Sequence, residues 1–524
     1  MMLSPDFVAG LQDTLALDLR QFAPECVLVV TIVAMLVLRL FTALNRFHVG
    51  AVALGGTMAG LLAWMAPMLG LWETSDAPSA FTGLLALDPL AGFLRGLLLG
   101  FAVLVVILTR LTSIPDTDDA ADFYTMLLGA TLGMMVMVSA NHLLMIFLGV
   151  EMASLPSYAL AGFLKGRKSG SEAALKYVIY GAASSGVMLY GISLLVVAFG
   201  TGSLPAVAAG YANVFSGAGS ASLVAVATLF FLIGLGFKLG AVPFHFWLPD
   251  VFEGAAAEVA AFLSIASKIA AICLTARFLL TLQNRVSDTA SSLVLPESVG
   301  VALLLIAAMT MTLGNVLALM QTNVKRLLAY STIAHAGYML LGLATLRKSG
   351  VAAVLVYLVA YLLMNLGAFA TVAFVRNRTG SENLDAYRGL LKRAPTLTIA
   401  FAVCLISLLG LPPFAGFVGK FQVFIEVFDA GRFYANAGSP NLAVAFYALL
   451  GIAVVNTVMS AGYYLKILRI AIFDEPLHPD ETGHPTPLGE TPDQTGYLAL
   501  IAMLILLLGV WWGPLTDIAR ACVG

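Results

Sequence analysis

The sequence predicts an all-α, polytopic membrane protein of about 14 transmembrane helices, with two inverted five-helix repeats that each contain a broken helix. Three observations lead there. First, the 524 residues are 60% hydrophobic and only 11% charged, too little charge to cover a water-facing surface. Second, apolar runs of about twenty residues recur from end to end, each long enough to cross a ~30 Å hydrocarbon layer as a helix. Lipid offers the backbone no partner but itself, so such runs are helical. Third, two runs carry helix breakers at depth, five spans apart. Five is odd, so the second copy runs upside down relative to the first, and paired broken helices point to sites near midplane. No strong letter-for-letter repeat accompanies them, and the repeat rests on the paired breaks.

In chain order the expected spans lie near 22–42, 48–70, 88–110, 121–139, 142–164, 172–199, 223–246, 256–281, 297–319, 325–346, 350–375, 396–428, 440–470 and 496–517. They group as an N-terminal three-helix segment (1–120), a first repeat of helices 4–8 (121–283), a second, inverted repeat of helices 9–13 (297–471) and a C-terminal helix (496–518). The first run, near Cys26–Leu38, is not a cleaved leader. Asp6, Asp13 and Asp18 precede it instead of a basic cluster, and no small-residue cleavage site follows. The longer connections are Gly/Ser/Ala-rich (Gly200–Ser222) or polar with prolines (Asp474–Thr495).

The basic residues orient the chain. With the N-terminus outside, the inner loops hold fifteen of the 27 Lys and Arg residues: Arg39, Arg46, Arg110, Lys165, Arg167, Lys168, Lys325, Arg326, Arg376, Arg378, Arg388, Lys392, Arg393, Lys466 and Arg469. This bias places both termini outside. It leaves Arg95, Lys176, Lys238, Lys268 and Lys420 within spans. No basic tract suits nucleic acid. Cys26, Cys273, Cys404 and Cys522 lack C-x-x-C spacing and read as packing residues, not metal ligands or disulfides.

The two breaks read Gly236-Phe-Lys-Leu-Gly-Ala-Val-Pro243-Phe-His245 and Gly410-Leu-Pro412-Pro413-Phe-Ala-Gly416-Phe-Val-Gly419-Lys420. Proline removes a donor and clashes with the preceding turn. Each break lies close to a lysine. A charge at the bilayer centre costs roughly 2.5–3.5 kcal/mol on insertion scales, so such residues face a polar interior and act there. Glu151, mid-span, needs a cation, and Lys176 one span later is its expected partner. Lys238 stands beside carbonyls freed by the first break. Lys268 is centred in its span, where Ser264 and Ser267 offer it hydrogen bonds. His335, among Tyr330, Ser331, Thr332 and Tyr338, fits a relay. Lys420 follows the second break. Of the rest, His245 reads as interfacial, His142 as a helix cap, Asp250 and Glu253 as solvated loop residues, Glu258 as a helix-dipole partner and Arg95 as structural. Lysine can give up its proton when desolvated, so this series reads as a proton route.

At these residues the chain resembles the proton-translocating antiporter-like subunits of respiratory complex I, in the branch of subunit N of the bacterial NADH–quinone oxidoreductase. The likeness is carried by Val150-Glu-Met-Ala-Ser-Leu-Pro-Ser-Tyr158, Gly236–Gly254, Val324-Lys-Arg-Leu-Leu-Ala-Tyr-Ser-Thr-Ile-Ala-His-Ala-Gly-Tyr338 and Gly410–Phe421, and runs from about span four to span thirteen. The middle two motifs mark a wider superfamily that includes Mrp-type cation/proton antiporters, and a subunit of such an antiporter is the alternative reading. Lys420 and a chain that stops soon after span fourteen favour the subunit-N branch. Glu253-Gly-Ala-Ala-Ala-Glu258 departs from the family, where a threonine-proline segment is expected.

The resemblance implies Glu151 and Lys176 as a charge pair, Lys238 as the pumping lysine, Lys268 and His335 as central relay and Lys420 as the exit-side lysine. It further implies a translocase subunit with no cofactor or metal site of its own. NADH, FMN, iron–sulfur clusters and quinone then belong to partner subunits. The other membrane-arm subunits, lipids and protons are its partners, and its place is the bacterial cytoplasmic membrane, with both termini on the periplasmic side.

Overall fold

The computed structural model describes residues 14–41, 49–71, 78–115, 118–164, 166, 168–215, 220–287, 297–476 and 487–524. Asp6 and Asp13 of the leader, and Arg46, Lys165 and Arg167 of the inner-loop set, lie outside the described residues, as do parts of both long connections. The N-terminal segment holds α1 (Ala23–Leu40), α2 (Gly50–Met65) and α3 (Pro89–Thr112), with a small antiparallel hairpin, β1 (Ser79–Ala80) and β2 (Leu85–Ala86), before α3. Next come α4 (Ala120–Ser139), α5 (Leu143–Ala161), α6 (Lys168–Phe199), α7 (Leu204–Phe215), α8 (Ala221–Leu239), α9 (Trp247–Gly254) and α10 (Ala257–Ser287). They are followed by α11 (Glu297–Leu319), α12 (Val324–Leu343), α13 (Lys348–Thr379), α14 (Leu390–Arg393), α15 (Pro395–Leu409), α16 (Ala415–Asn436) and α17 (Pro440–Phe473). The chain closes with α18 (Pro492–Val510) and α19 (Gly513–Val523).

Among the described residues, 11 helices are long and apolar enough to cross a bilayer, and α2 and α15 are shorter apolar helices. The protein is an all-α, multi-pass membrane protein. Several helix starts are capped as their sequences dictate: the Asp88 carboxylate accepts from Ala91 N–H at 2.8 Å, and Asn323 Oδ1 accepts from Arg326 N–H at 3.1 Å. His142 is a cap as expected, its Nδ1 accepting from Leu144 N–H at 3.1 Å.

Two elements depart from expectation. The connection Gly200–Ser222 contains α7, because Ala206, Ala208 and Ala209 are strong helix formers and Val207, Ala208 and Tyr211 find a buried packing face. The last expected span is two helices, since α18 stops at Val510 and α19 continues beyond the exposed Trp511 and Trp512.

Packing sorts the helices into an inner and an outer group. Every residue of α12 except Arg326 is buried. The spanning window of α10 is 100% buried and that of α13 is 94% buried, whereas α1 reaches only 28% and α17 only 33%. The inner three pack on one another. Residues on them are surrounded by protein rather than by the outer apolar surface, so polar side chains there escape the penalty of facing hydrocarbon.

Candidate functional site

The two breaks organise the site. Helix α8 ends at Gly240 (φ 66°) and α15 at Gly410 (φ 91°), a left-handed conformation that glycine adopts without a Cβ penalty. Pro243 and Pro412–Pro413 follow and cannot restore the lost N–H donors. At the second break the last carbonyls of α15 are taken by a charge: Lys420 Nζ on α16 donates to Leu408 O at 3.0 Å and to Leu409 O at 2.9 Å. The same ammonium sits 4.8 Å from the centre of the Tyr338 ring. At the first break Phe237 O accepts from the Trp247 indole at 3.1 Å, and Val242 N–H donates to Thr310 Oγ1 at 3.0 Å, tying the break to α11. Lys238 is buried one turn before it, and Lys268 Nζ lies against it, 3.9 Å from where a Cβ on Gly240 would stand.

Between the breaks lie two neighbouring hydrogen-bonded clusters, one reaching from α12 and α13 to α17 and the other within α10, α12 and α13. His335 Nδ1 is 2.6 Å from Tyr357 OH, and its Nε2 is 3.1 Å from Tyr464 OH. Tyr464 OH in turn meets Ser331 Oγ at 2.5 Å. Asn365 Nδ2 donates to Ser264 Oγ at 2.7 Å and to Tyr361 OH at 3.0 Å, and Tyr361 donates to Thr332 Oγ1 at 3.0 Å. Lys268 and Lys420 both lie within electrostatic reach of His335. The structure thus brings Lys238, Lys268, His335 and Lys420 into one buried row. Each ring nitrogen of His335 has a hydroxyl partner, so either tautomer is satisfied.

The acidic end differs from expectation. Lys176 does not pair with Glu151. It is half-exposed, and its Nζ bonds Asp250 Oδ2 at 2.6 Å and Glu172 Oε1 at 2.7 Å. The reason is local: Glu172 is one turn away on α6, and Asp250 is carried on α9, which packs against α6. Asp250 and Glu253 are therefore not loop residues, and both are engaged by Arg326 Nη1, each at 2.7 Å. Glu151 turns the other way. Its charge reaches Lys238, and its Oε1 is buried with no hydrogen-bond partner. Ser264 and Ser267 direct their own hydroxyl protons to Ala261 O and Leu263 O rather than serving Lys268. His245 is buried, not interfacial.

Comparison with known proteins gives the chain its family. A family model described as NADH:quinone oxidoreductase/Mrp antiporter, TM, matches residues 140–438. The chain belongs to this family. It is 40% identical over 518 residues to NADH-quinone oxidoreductase subunit N of Anaeromyxobacter sp. (strain Fw109-5), covering 94% of each chain. It is similar to a chain of respiratory complex I from Thermus thermophilus with bound aureothin, at 33% identity and TM-score 0.71, covering 94% of this chain and 98% of that one. A chain of the Mrp complex from Dietzia sp. DQ12-45-1b shares the fold, at 22% identity and TM-score 0.74, covering 97% of this chain and 96% of that one.

In this NADH:quinone oxidoreductase/Mrp antiporter family member, several polar groups escaped the sequence reading. Tyr357, Tyr361 and Asn365 recur every four residues on α13, a one-face polar stripe that helical spacing would have exposed. Tyr464 had no such signal, because Tyr463 beside it is equally buried. Arg277 stands buried within α10, not in an outer segment, and is bound bidentately by Asp88. Arg376 and Lys325 are likewise buried and paired, with Glu258 and Glu382. Glu258 is thus an ion-pair partner rather than a mere complement to the helix dipole.

Proposed function

We propose that this chain is the proton-translocating membrane-arm subunit of a bacterial complex I, coupling NADH:quinone electron transfer in partner subunits to proton movement. The observation that carries the reading is the buried row Lys238, Lys268, His335 and Lys420, set between two broken helices among buried tyrosine, serine and asparagine groups. NADH, flavin, iron–sulfur clusters and quinone are handled by the partner subunits. The chain sits in the cytoplasmic membrane with both termini on the periplasmic side, in fourteen passages.

Two inverted five-helix units, 121–283 and 297–471, frame the row. In support, α4 packs on α5 as α11 packs on α12, α9 packs on α6 as α16 packs on α13, and a left-handed glycine ends the helix before each break.

A proton loads at Lys238 from the inner side, passes laterally through Lys268 and His335 to Lys420, and leaves outward. Glu151 is the control element. In this structure it acts on Lys238, while Lys176 is held by Asp250 and Glu172. Release of Lys176 from Asp250 would let Glu151 turn to it, and Lys238, losing its attractive neighbour, would pass its proton on. Moving one charge against 100 mV costs about 2.3 kcal/mol. A change of one to two pKa units is worth roughly 1.4–2.7 kcal/mol, so a side-chain displacement is sufficient in magnitude.

The test is Lys238→Ala in the assembled complex, reconstituted in vesicles, with protons moved per NADH oxidised as the readout. The ratio should fall. A wild-type ratio would remove Lys238 from the path. Glu151→Gln should lower coupled turnover, and unchanged turnover with an intact gradient would make that carboxylate structural.

A further inference from the structure

A second buried charged cluster lies below the row, at one end of the same three enclosed helices. Glu258 is on the first turn of α10, Lys325 on the first turn of α12 and Arg376 on the last turn of α13. All three are buried, Glu258 completely. Arg376 Nη2 donates to Glu258 Oε1 at 3.2 Å, and to Asn377 Oδ1 at 2.6 Å. Lys325 Nζ donates to Ala255 O at 2.6 Å and pairs with Glu382 Oε1 at 2.9 Å, within electrostatic reach of Glu258 and Arg376.

The bonding of this cluster is incomplete. Glu258 Oε2, Arg376 Nη1 and Tyr387 OH are buried without a hydrogen-bond partner. Open valences on buried charges are costly, and apolar residues of similar volume would pack as well or better. A group kept in this state has a free lone pair, on Oε2 of Glu258, that a proton can take while Oε1 stays on Arg376.

Spacing ties the cluster to the row. Lys268 follows Glu258 by ten residues on α10, and His335 follows Lys325 by ten on α12, each a rise of about 15 Å. Asn365 precedes Arg376 by eleven residues on α13, or about 16 Å. If the row is at midplane, these distances put the cluster near one edge of the ~30 Å hydrocarbon layer. Ser264 and Thr332 stand at intermediate heights on α10 and α12 and are joined through Asn365 and Tyr361.

We propose that Glu258 is a proton-loading carboxylate serving Lys268 from the inner face, with Arg376 and Lys325 as its positioning residues. The proposal rests on the reading of the row as a proton path and adds a second inlet to it, beside the one at Lys238. Glu258 Oε2 takes up a proton that hydronium on the inner side gives up, leaving water behind. The new O–H bond then breaks as the proton moves along α10, past the group of Ser264, Asn365, Tyr361 and Thr332, to the neutral amine of Lys268. A carboxylate and an ammonium result, and the carboxylate is ready to load again.

The experiment uses the assembled complex in vesicles and compares Lys268→Ala, Glu258→Gln, Glu258→Asp and the doubly neutral Glu258→Gln/Arg376→Gln. Protons moved per NADH oxidised and NADH:quinone turnover are read together. Glu258→Gln should lose a part of the proton ratio that Lys268→Ala loses, since the inlet at Lys238 remains, and Glu258→Asp should regain most of that part, a rescue that a packing role would not show. The doubly neutral variant leaves no unpaired charge, so it decides where the single substitution prevents assembly, and it should lose the same part of the proton ratio as Glu258→Gln. If Lys268→Ala loses pumping while the doubly neutral variant pumps as wild type, the inlet is overturned and the row stands. A wild-type ratio in Lys268→Ala would instead overturn the row itself.

Discussion

At the scale of single residues, His335 has a hydroxyl on either side of its ring, Tyr357 OH at 2.6 Å from Nδ1 and Tyr464 OH at 3.1 Å from Nε2. A lysine or glutamate in an apolar span is visible because its burial must be compensated, and Lys238, Lys268, His335 and Lys420 all proved buried. Tyrosine gives no such alarm, since its ring is as apolar as its neighbours and only its hydroxyl is informative. Tyr357 shows what was hidden. Its OH is 2.6 Å from His335 Nδ1, while the rest of the ring is ordinary core. Tyr357→Phe should keep the packing and cost about 0.5–1.5 kcal/mol of stability, the net worth of one hydrogen bond. It should slow proton transfer through His335 by more than that loss suggests, read as proton flux in vesicles against thermal unfolding of the same preparation. Glu151 failed for a different reason. Pairing it with Lys176 assumed that the lysine of the next span is nearest in space, and α9, folding back on α6, brings Asp250 to Lys176 first.

At the scale of elements, helix existence followed from hydrophobic runs, and helix interruption followed from glycine and proline. Both breaks fell where the sequence placed them, because glycine adopts the positive φ values of Gly240 and Gly410 without the strain a Cβ would add. A Cβ on Gly410 would also come within 2.9 Å of Lys420 Cδ. Gly410→Ala should therefore destabilise by about 1–2 kcal/mol through the left-handed backbone alone. It should also disturb the seat of Lys420, so a lower unfolding temperature of the complex should come with a reduced proton ratio. An unfolding temperature equal to wild type would mean that this turn is not held as described. Helix α7 was missed because a Gly/Ser/Ala-rich stretch reads as a linker, although its alanines favour a helix and its packing face stabilises the short segment.

At the scale of the whole molecule, the sequence announced a membrane protein through composition but could not say which helices lie inside. That depends on long-range contacts between apolar surfaces, and apolar residues look alike whether they face lipid or protein. The N-terminal segment is fastened by one such unforeseen contact. Glu25 on α1 and Arg95 on α3 form a fully desolvated pair, with Arg95 Nε donating to Glu25 Oε1 at 2.6 Å and Nη2 to Gln21 O at 2.9 Å. Removing one charge from such a pair costs about 3–5 kcal/mol because the other is stranded. Glu25→Gln should thus lower the yield of assembled complex sharply, measured by native gel, whereas a doubly apolar Glu25→Met/Arg95→Met variant should recover most of it.

The enclosure of α10, α12 and α13 reaches beyond stability. A photoreactive probe dissolved in the acyl chains should tag α1, α6 and α17 heavily and leave those three almost unmarked. The same shielding frees them from selection for oiliness, so they are where new hydroxyls and amides can accumulate over generations, while their neighbours must stay greasy. Hydropathy scanning finds α10 and α13 but passes over α12, the helix that carries Lys325 and His335.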